Sequence, residues 1–462
     1  MTLIKSISGI RGTIGGKPGE NLTPIDIVTF TSGFASLIKK RNDNPHIIVG
    51  RDGRNSGEMV QNLVQSTLMS LGINVLDAGL TTTPSLEMAI ILQKASGGIM
   101  ITASHNPMEW NALKFMNELG EFIDAETGQE VLDLGNDPRI QFSSYESLGT
   151  LVPLKNTIFN HIQAILKLKL VNKDLIKSRN YKIVVDAINS TGALSVPLLL
   201  EKLGCECILI NGDIHGSFAH NPEPLPEHID ELSKTVKKQK AHLGIIVDPD
   251  VDRLAFVADN GEPFGEEYTL VAVADYILSK EKGNTVSNLS STLALRDITL
   301  QQGGEYFASA VGEVNVVAKM KAVDAIIGGE GNGGIIYPKL HYGRDALVGI
   351  ALFLSHLAEK NKKVSFLRSD YPNYEISKNK IELTDKKQMD IIFSRLKEKY
   401  KNKKLHTEDG LRIDLDNEWI HLRQSNTEPI IRIYAESSSK VVADNLAKKL
   451  ISDIREIQRE MK

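Results

Sequence analysis

The sequence predicts an α/β protein: three consecutive α/β domains with mixed, largely parallel sheets, followed by a C-terminal α+β domain. Short apolar runs alternate with amphipathic stretches through most of the chain, as strands and covering helices do in parallel sheets. This pattern comes round three times. In the last roughly ninety residues it gives way to strand-like runs parted by Asp409-Gly410 and Asp416-Asn417, dipeptides suited to hairpin turns.

Thr23-Pro24-Ile25-Asp26 starts a helix, with Thr as cap and Pro in the first turn, and apolar residues recur to Ile38. His46 to Gly50 is a strand. A second helix runs from about Ser56 to Leu71, with Val60, Leu63, Val64 and Leu68 on one face and Gly72 as its stop. Strands follow at Ile73 to Leu76 and Gly97 to Ile101. The second round holds Lys182 to Asp186, a helix ending at Gly204, and Leu243 to Asp248. The third runs from a helix near Glu267 to a strand at Asp324 to Gly328, and a helix from about Val441 to Arg459 closes the chain. Breaks near Thr150-Leu151, after Asp252-Arg253 and near Asp370-Tyr371-Pro372 give expected domains of 1–150, 151–254, 255–368 and 369–462.

At 462 residues the chain is too long for one core, and 41% hydrophobic with 24% charged residues marks a soluble globular protein. A net charge of −4 offers no general attraction for nucleic acid or anionic membrane, so neither is an expected partner, and an anionic ligand must be held by local Arg and Lys. No leader and no spanning apolar run is evident, which predicts a cytoplasmic location. Cys205 and Cys207 stand in a strand-like run and read as packing.

Four polar clusters could carry chemistry. Thr102-Ala103-Ser104-His105-Asn106-Pro107 presents a serine at a strand end, where its hydroxyl needs a base, a cation or prior modification to react. Arg11, Arg51, Arg54 and Lys114 are the basic residues grouped with it. Asp248-Pro249-Asp250-Val251-Asp252-Arg253 places alternate carboxylates on one side of an extended segment, and their repulsion calls for a divalent cation. Oxygen ligands favour Mg²⁺. An EF-hand loop would need Gly at its sixth position and Glu at its twelfth, where Arg253 and Asp259 stand. Gly328 to Gly334 allows close backbone approach, with Glu330 and Asn332 suited to sugar hydroxyls. Finally, Arg423-Gln424-Ser425-Asn426-Thr427-Glu428-Pro429, with Arg432 beyond, forms a cradle for a dianionic phosphate.

Together these motifs resemble those of the α-D-phosphohexomutase family, from Ile10-Arg11-Gly12 to the C-terminal helix. The resemblance implies that Ser104 is phosphorylated and is both phosphoryl donor and acceptor. It implies one Mg²⁺ per chain on Asp248, Asp250 and Asp252 together with phosphorylated Ser104, and Lys114 as acid/base or charge stabiliser. Arg11 and His105 complete the expected catalytic group with Ser104 and Lys114. Glu330, Asn332 and Arg253 would bind sugar phosphate, and Arg423, Ser425, Asn426, Thr427 and Arg432 the phosphate that is not reacting. Two departures matter. Many bacterial members carry Ser and His in the sugar loop where Asn332 and Gly334 stand here, so no histidine from that loop can act; this form resembles the branch with archaeal-type phosphoglucosamine mutases. The phosphate loop reads Ser-Asn-Thr where others read Ser-Gly-Thr.

The implied reaction interconverts glucosamine 6-phosphate and glucosamine 1-phosphate through a 1,6-bisphosphate, with glucosamine or glucose 1,6-bisphosphate as activator. Mannose and glucose phosphates are the alternative substrates, and a monomer or homodimer is expected. From other classes, an aspartyl phosphatase using Asp248 and a non-catalytic sugar-phosphate binder stay open.

Overall fold

In the computed structural model, which describes residues 2–6, 9–382, 388–424 and 430–460, the continuous apolar runs are buried strands. Gly97–Ile101 and Lys182–Asp186 have the expected bounds, and Leu243–Val247 differs by one residue. The first helix, Pro24–Arg41, begins at a capping box in which Thr23 and Asp26 satisfy each other's backbone N–H. The chain divides into two compact units, Met1–Ile277 with Asn332–Arg368, and Leu278–Gly331 with Ser369–Lys462.

The first unit contains two sheets. In one, the strand order is Ile4–Ser6, Gly9–Thr13, Trp110–Met116, Gly97–Ile101, His46–Arg51, Asn74–Leu80 and Leu151–Pro153. The last four are mutually parallel and Trp110–Met116 is antiparallel to its neighbours. Pro24–Arg41 and Gly57–Ser70 cover this sheet through Phe30, Phe34, Val60, Val64 and Leu68, and Phe34 stacks on Phe115 at 4.7 Å. The other sheet has the order Leu254–Ala258, Leu243–Val247, Lys182–Asp186 and Glu206–Ile210, parallel except for the first strand.

Two expected breaks shift for the same reason. Leu151–Pro153 joins the first sheet beside Asn74–Leu80, past the break near Thr150. Leu254–Ala258 turns back antiparallel to Leu243–Val247, so a break after Arg253 would cut a hairpin out of its own sheet. Each strand is placed by its pairing, distant in sequence for Leu151–Pro153 and across the 248–253 turn for Leu254–Ala258, and composition alone displays neither.

In the second unit, Asn284–Asn288 lies between Tyr306–Ser309 and Ala325–Glu330, parallel to both. An antiparallel sheet of order Glu375–Glu382, Ile430–Ser437, Glu418–Gln424, Leu411–Leu415 and Lys404–His406 follows. The helices Gln388–Lys399 and Lys440–Glu460 bury Ile392, Leu396, Leu450 and Ile454 against Ile413, Ile420, Leu422 and Ile433. The fold is thus α/β with a C-terminal α+β part. Among the described residues, no helix is long and apolar enough to cross a membrane.

Candidate functional site

Ser104 follows the fully buried strand Gly97–Ile101 and adopts φ of 48°, a left-handed conformation costly for a non-glycine residue. Its side chain is nearly buried. The hydroxyl donates to Asp248 Oδ2 at 2.7 Å, and His105 Nδ1 lies 3.4 Å from Ser104 Oγ. The serine loop and the acidic loop, 144 residues apart in sequence, therefore meet at one hydrogen bond.

The acidic loop is a tight turn, correcting the extended segment expected from alternating carboxylates. Val251 has φ of 64°, strained for a β-branched residue, and its N–H donates to the Asp248 carbonyl at 3.1 Å. Asp248 Oδ1 accepts from the N–H groups of Asp252 and Arg253 at 3.1 and 3.0 Å. The turn thereby brings ligand oxygens of Asp248, Asp250 and Asp252 within 4.8 Å of one another, all three residues being buried. Burial, then repulsion from Asp252 and Asp250, pushes the Asp248 carboxyl well above the usual range. Asp250 Oδ1 and Asp252 Oδ1 are buried without a hydrogen-bond donor. Orphaned oxygens in an oxygen-only donor set fit a hard divalent cation, so the triad could hold a metal ion.

Cations frame the triad. Lys114 Nζ donates to Asp250 Oδ2 at 2.8 Å and lies 3.5 Å from Asp252 Oδ2. Burial lowers the lysine pKa, but Asp250 and Asp252 outweigh burial and hold the ammonium above its ordinary value. Asp250 is correspondingly depressed, its burial overcome by Lys114 and Thr83. Arg253 Nη1 reaches Glu223 Oε1 at 3.2 Å, and Arg11 Nη1 donates to Asn106 Oδ1 at 3.4 Å. Burial, together with Arg253, Arg11, Arg344 and Lys114, keeps the His105 ring well below its usual pKa, hence neutral near pH 7. Asn332 also belongs to this unit, where its Oδ1 accepts from Gly334 N–H at 3.2 Å.

Three partners escaped the sequence reading. Arg344 Nη2 donates to Asp252 Oδ2 at 2.7 Å, and Thr83 donates its hydroxyl to Asp250 Oδ2 at 2.6 Å and its N–H to the Asp250 carbonyl at 2.9 Å. Asp52, fully buried, accepts from the Thr102 hydroxyl at 2.7 Å. A signal for two of them is the tripeptide Gly-Arg-Asp, which occurs at Gly50-Arg51-Asp52 and again at Gly343-Arg344-Asp345.

In the second unit, Glu330 is buried at a strand end, where its Oε1 accepts from Asn288 Nδ2 at 2.9 Å and from Gly312 N–H at 3.0 Å. Arg423 and Arg432 face each other on adjacent antiparallel strands. Arg423 Nε lies 2.8 Å from Asp409 Oδ2, and Arg432 is exposed. Ser425, Asn426 and Thr427 lie outside the described residues.

Models of the phosphoglucomutase/phosphomannomutase family match the chain in four parts: α/β/α domain I at residues 3–138, domain II at 159–261, domain III at 265–374, and the C-terminal domain at 380–452. A phosphoglucomutase/phosphomannomutase of Thermococcus kodakarensis is 34% identical over 93% of this chain and 94% of its own. A phosphoglucosamine/phosphogalactosamine mutase of Sulfurisphaera tokodaii is 33% identical over 96% and 97%. The crystal structure of a phosphoglucomutase/phosphomannomutase family protein from Burkholderia thailandensis superposes with a TM-score of 0.84 at 25% identity, covering 98% of each chain. With four domain models matched in order and relatives aligned along nearly its full length, the chain belongs to the phosphoglucomutase/phosphomannomutase family of α-D-phosphohexomutases, enzymes of the isomerase class.

Proposed function

We propose that the protein interconverts glucosamine 6-phosphate and glucosamine 1-phosphate, with Ser104 as the phosphoryl carrier. The observation that carries this reading is the 2.7 Å bond between the Ser104 hydroxyl and Asp248, at the edge of a buried carboxylate triad. Phosphorylated Ser104 transfers its group to the free hydroxyl of a hexose monophosphate: the serine O–P bond breaks and the serine oxygen takes up a proton, a sugar O–P bond forms, and the sugar hydroxyl's proton leaves to a base. The 1,6-bisphosphate then reverses its orientation and returns its other phosphate to Ser104.

Asp248, Asp250 and Asp252, with phosphorylated Ser104, would hold one Mg²⁺, which when bound supplies charge stabilisation to the transferring group. Lys114, kept charged by Asp250 and Asp252, suits a stabiliser of phosphoryl charge more than a base. His105, neutral and 3.4 Å from the serine oxygen, suits a proton acceptor at that position. Arg11 and Arg253 supply positive charge for the sugar phosphate. Glu330 and Asn332 read hydroxyls, and Arg423 and Arg432, with Ser425, Asn426 and Thr427, take the non-reacting phosphate. On this reading the enzyme works in the cytoplasm with 1,6-bisphosphate as activator.

The S. tokodaii relative, named for amino-sugar phosphates, supports glucosamine. The T. kodakarensis relative, named for glucose and mannose phosphates, supports the second reading. Side-by-side rates on glucosamine, glucose and mannose phosphates decide between them. Ser104→Ala tests the carrier: turnover should vanish while substrate binding persists, and phosphopeptide mapping of the wild type should place phosphate on Ser104. More than a few per cent residual mutase activity, or phosphate on Asp248, overturns the reading.

A further inference from the structure

Ser104 is held in its left-handed conformation by a buried device that the reaction scheme above does not use. Arg54 is 1% exposed and has five N–H donors, and all five are spent. Nε donates to Asp52 Oδ2 at 3.1 Å. Nη1 donates to the carbonyls of Pro107 and Trp110 at 2.6 and 2.9 Å, and Nη2 to those of Ser104 and Asn106 at 2.5 and 2.8 Å. One guanidinium thus gathers four carbonyls of the serine loop. The partner carboxylate grips the same serine from its other side: Asp52 Oδ2 accepts from the Thr102 hydroxyl, and Thr102 Oγ1 accepts from the Ser104 N–H at 2.9 Å. Both backbone polar groups of Ser104 therefore lead back to the Asp52–Arg54 pair.

The turn that carries this pair also reaches the acidic loop. Gly53 N–H donates to Ser190 Oγ at 3.1 Å, and the Ser190 hydroxyl donates to the Pro249 carbonyl at 2.7 Å. A Cβ on Gly53 would sit 2.9 Å from Ser190 Oγ, so the approach needs glycine. Ser104 and Asp248 meet at 2.7 Å because both loops are braced against Asp52-Gly53-Arg54.

We propose that Arg54, oriented by Asp52, is the positioning residue for the nucleophile: it fixes the Ser104 backbone so that the hydroxyl points at the acidic loop, and it does so without touching substrate. This rests on Ser104 being the phosphoryl carrier. Lysine cannot replace it, since an ammonium has three donors and no planar fork to span four carbonyls and a carboxylate.

The test compares Arg54→Lys and Thr102→Val with wild type, by steady-state kinetics and by the single-turnover rate of phosphoryl loss from the phosphorylated enzyme to added hexose monophosphate. In Arg54→Lys, kcat and the transfer rate should fall by on the order of a hundredfold, as a displacement of about 1 Å at a reacting group does, with KM within about twofold. Thr102→Val removes both hydrogen bonds of the Thr102 hydroxyl, to Asp52 and from the Ser104 N–H, leaves the Asp52–Arg54 contact in place, and should lower the same two rates by roughly tenfold. A lowered melting temperature with unchanged kcat in Arg54→Lys overturns the proposal, since the pair would then serve stability alone. Should Arg54→Lys fail to fold, unchanged transfer in Thr102→Val overturns it equally. Ser104→Ala separates the two ideas: a dead Ser104→Ala beside wild-type rates in Arg54→Lys and Thr102→Val refutes the positioning role and spares the carrier, whereas an active Ser104→Ala refutes the carrier itself.

Discussion

The serine and acidic loops of the first unit and the arginine-bearing sheet of the second, to which the proposed reaction assigns the transferring and the non-reacting phosphate, arrange their charges by opposite means. In the first unit, Ser104 and the three aspartates are buried, and Lys114 and Arg344 are pinned to carboxylate oxygens at 2.8 and 2.7 Å. In the second, Lys380, Arg432 and Arg423 stand in register on three adjacent strands of one sheet, with Lys380 and Arg432 exposed. Like charges directly opposite destabilise a sheet; the Asp409 carboxylate offsets Arg423, and an anion bound beside Arg432 and Lys380 would offset the rest of the row. A buried, prearranged charge pattern stabilises a transition state strongly because nothing reorganises during the reaction. On the proposed reaction, an exposed basic row would let an anion bind and leave, as a ligand that must turn around requires.

That contrast can be broken most sharply in the first unit. Asp250→Asn should lower turnover by about a hundred- to a thousandfold, because the lost charge lies at the reacting centre and Lys114 loses its closest partner. Excess chelator should silence the wild type and added Mg²⁺ restore it, followed as initial rates. Full activity in chelator would remove the metal from the mechanism.

Arg423→Ala should have a smaller effect. Losing one charge-assisted contact costs ~1.5 to 3 kcal/mol, so monophosphate affinity should fall by roughly ten- to a hundredfold. Free 1,6-bisphosphate should accumulate during turnover, and adding it back should recover part of the rate. Wild-type kinetics in the Arg423, Arg432 double variant would mean that the second unit's basic row does not hold the phosphate.

Much of this contrast is written locally in the sequence. Runs such as Gly97–Ile101 and Leu243–Val247 are apolar throughout because both sheet faces are covered, and the loops that carry Ser104 and the aspartates follow directly from their ends. The Thr23 cap and the Asp416-Asn417 turn are likewise short-range chemistry. What stays hidden is set by turn geometry, strand pairing and packing rather than by composition. Val251 is left-handed although β-branched residues avoid that region, so no local rule foretells the turn. Arg344 reads as one more surface charge until the fold sets it 92 residues away against Asp252. Leu254–Ala258 looks like the start of a new domain until its pairing is known.

The two units should also differ in how pH acts on their stability, the smallest effect and the most direct test of the comparison. In the first unit His341 is buried between Glu87 and Asp345, with Nδ1 and Nε2 each 3.2 Å from a carboxylate oxygen. Burial lowers its pKa, but the two carboxylates outweigh burial and raise it to about 10. Its stabilising contribution is complete below the ordinary value of 6.5 and is lost as pH rises towards 10. In the second unit burial pushes His421 down to about 4 and Glu436 up to about 7. The His421 contribution is present above 6.5 and lost as pH falls through 4; that of Glu436 is present below 4.5 and lost as pH rises through 7. These two oppose each other on the acid side and have no slope left above about pH 7. Between pH 7 and 8.5 the first unit should therefore lose about 1 to 2 kcal/mol, the slope being at most about 1.4 kcal/mol per pH unit, while the second stays level. The chain's two tryptophans report the units separately, Trp110 in the first and Trp419 in the second. Urea melts of Trp419→Phe, followed by Trp110 fluorescence, should move to lower midpoint with rising pH, and those of Trp110→Phe should not. Adding His341→Gln to Trp419→Phe should flatten the first unit's response; a slope that survives this change would assign the alkaline sensitivity to another group.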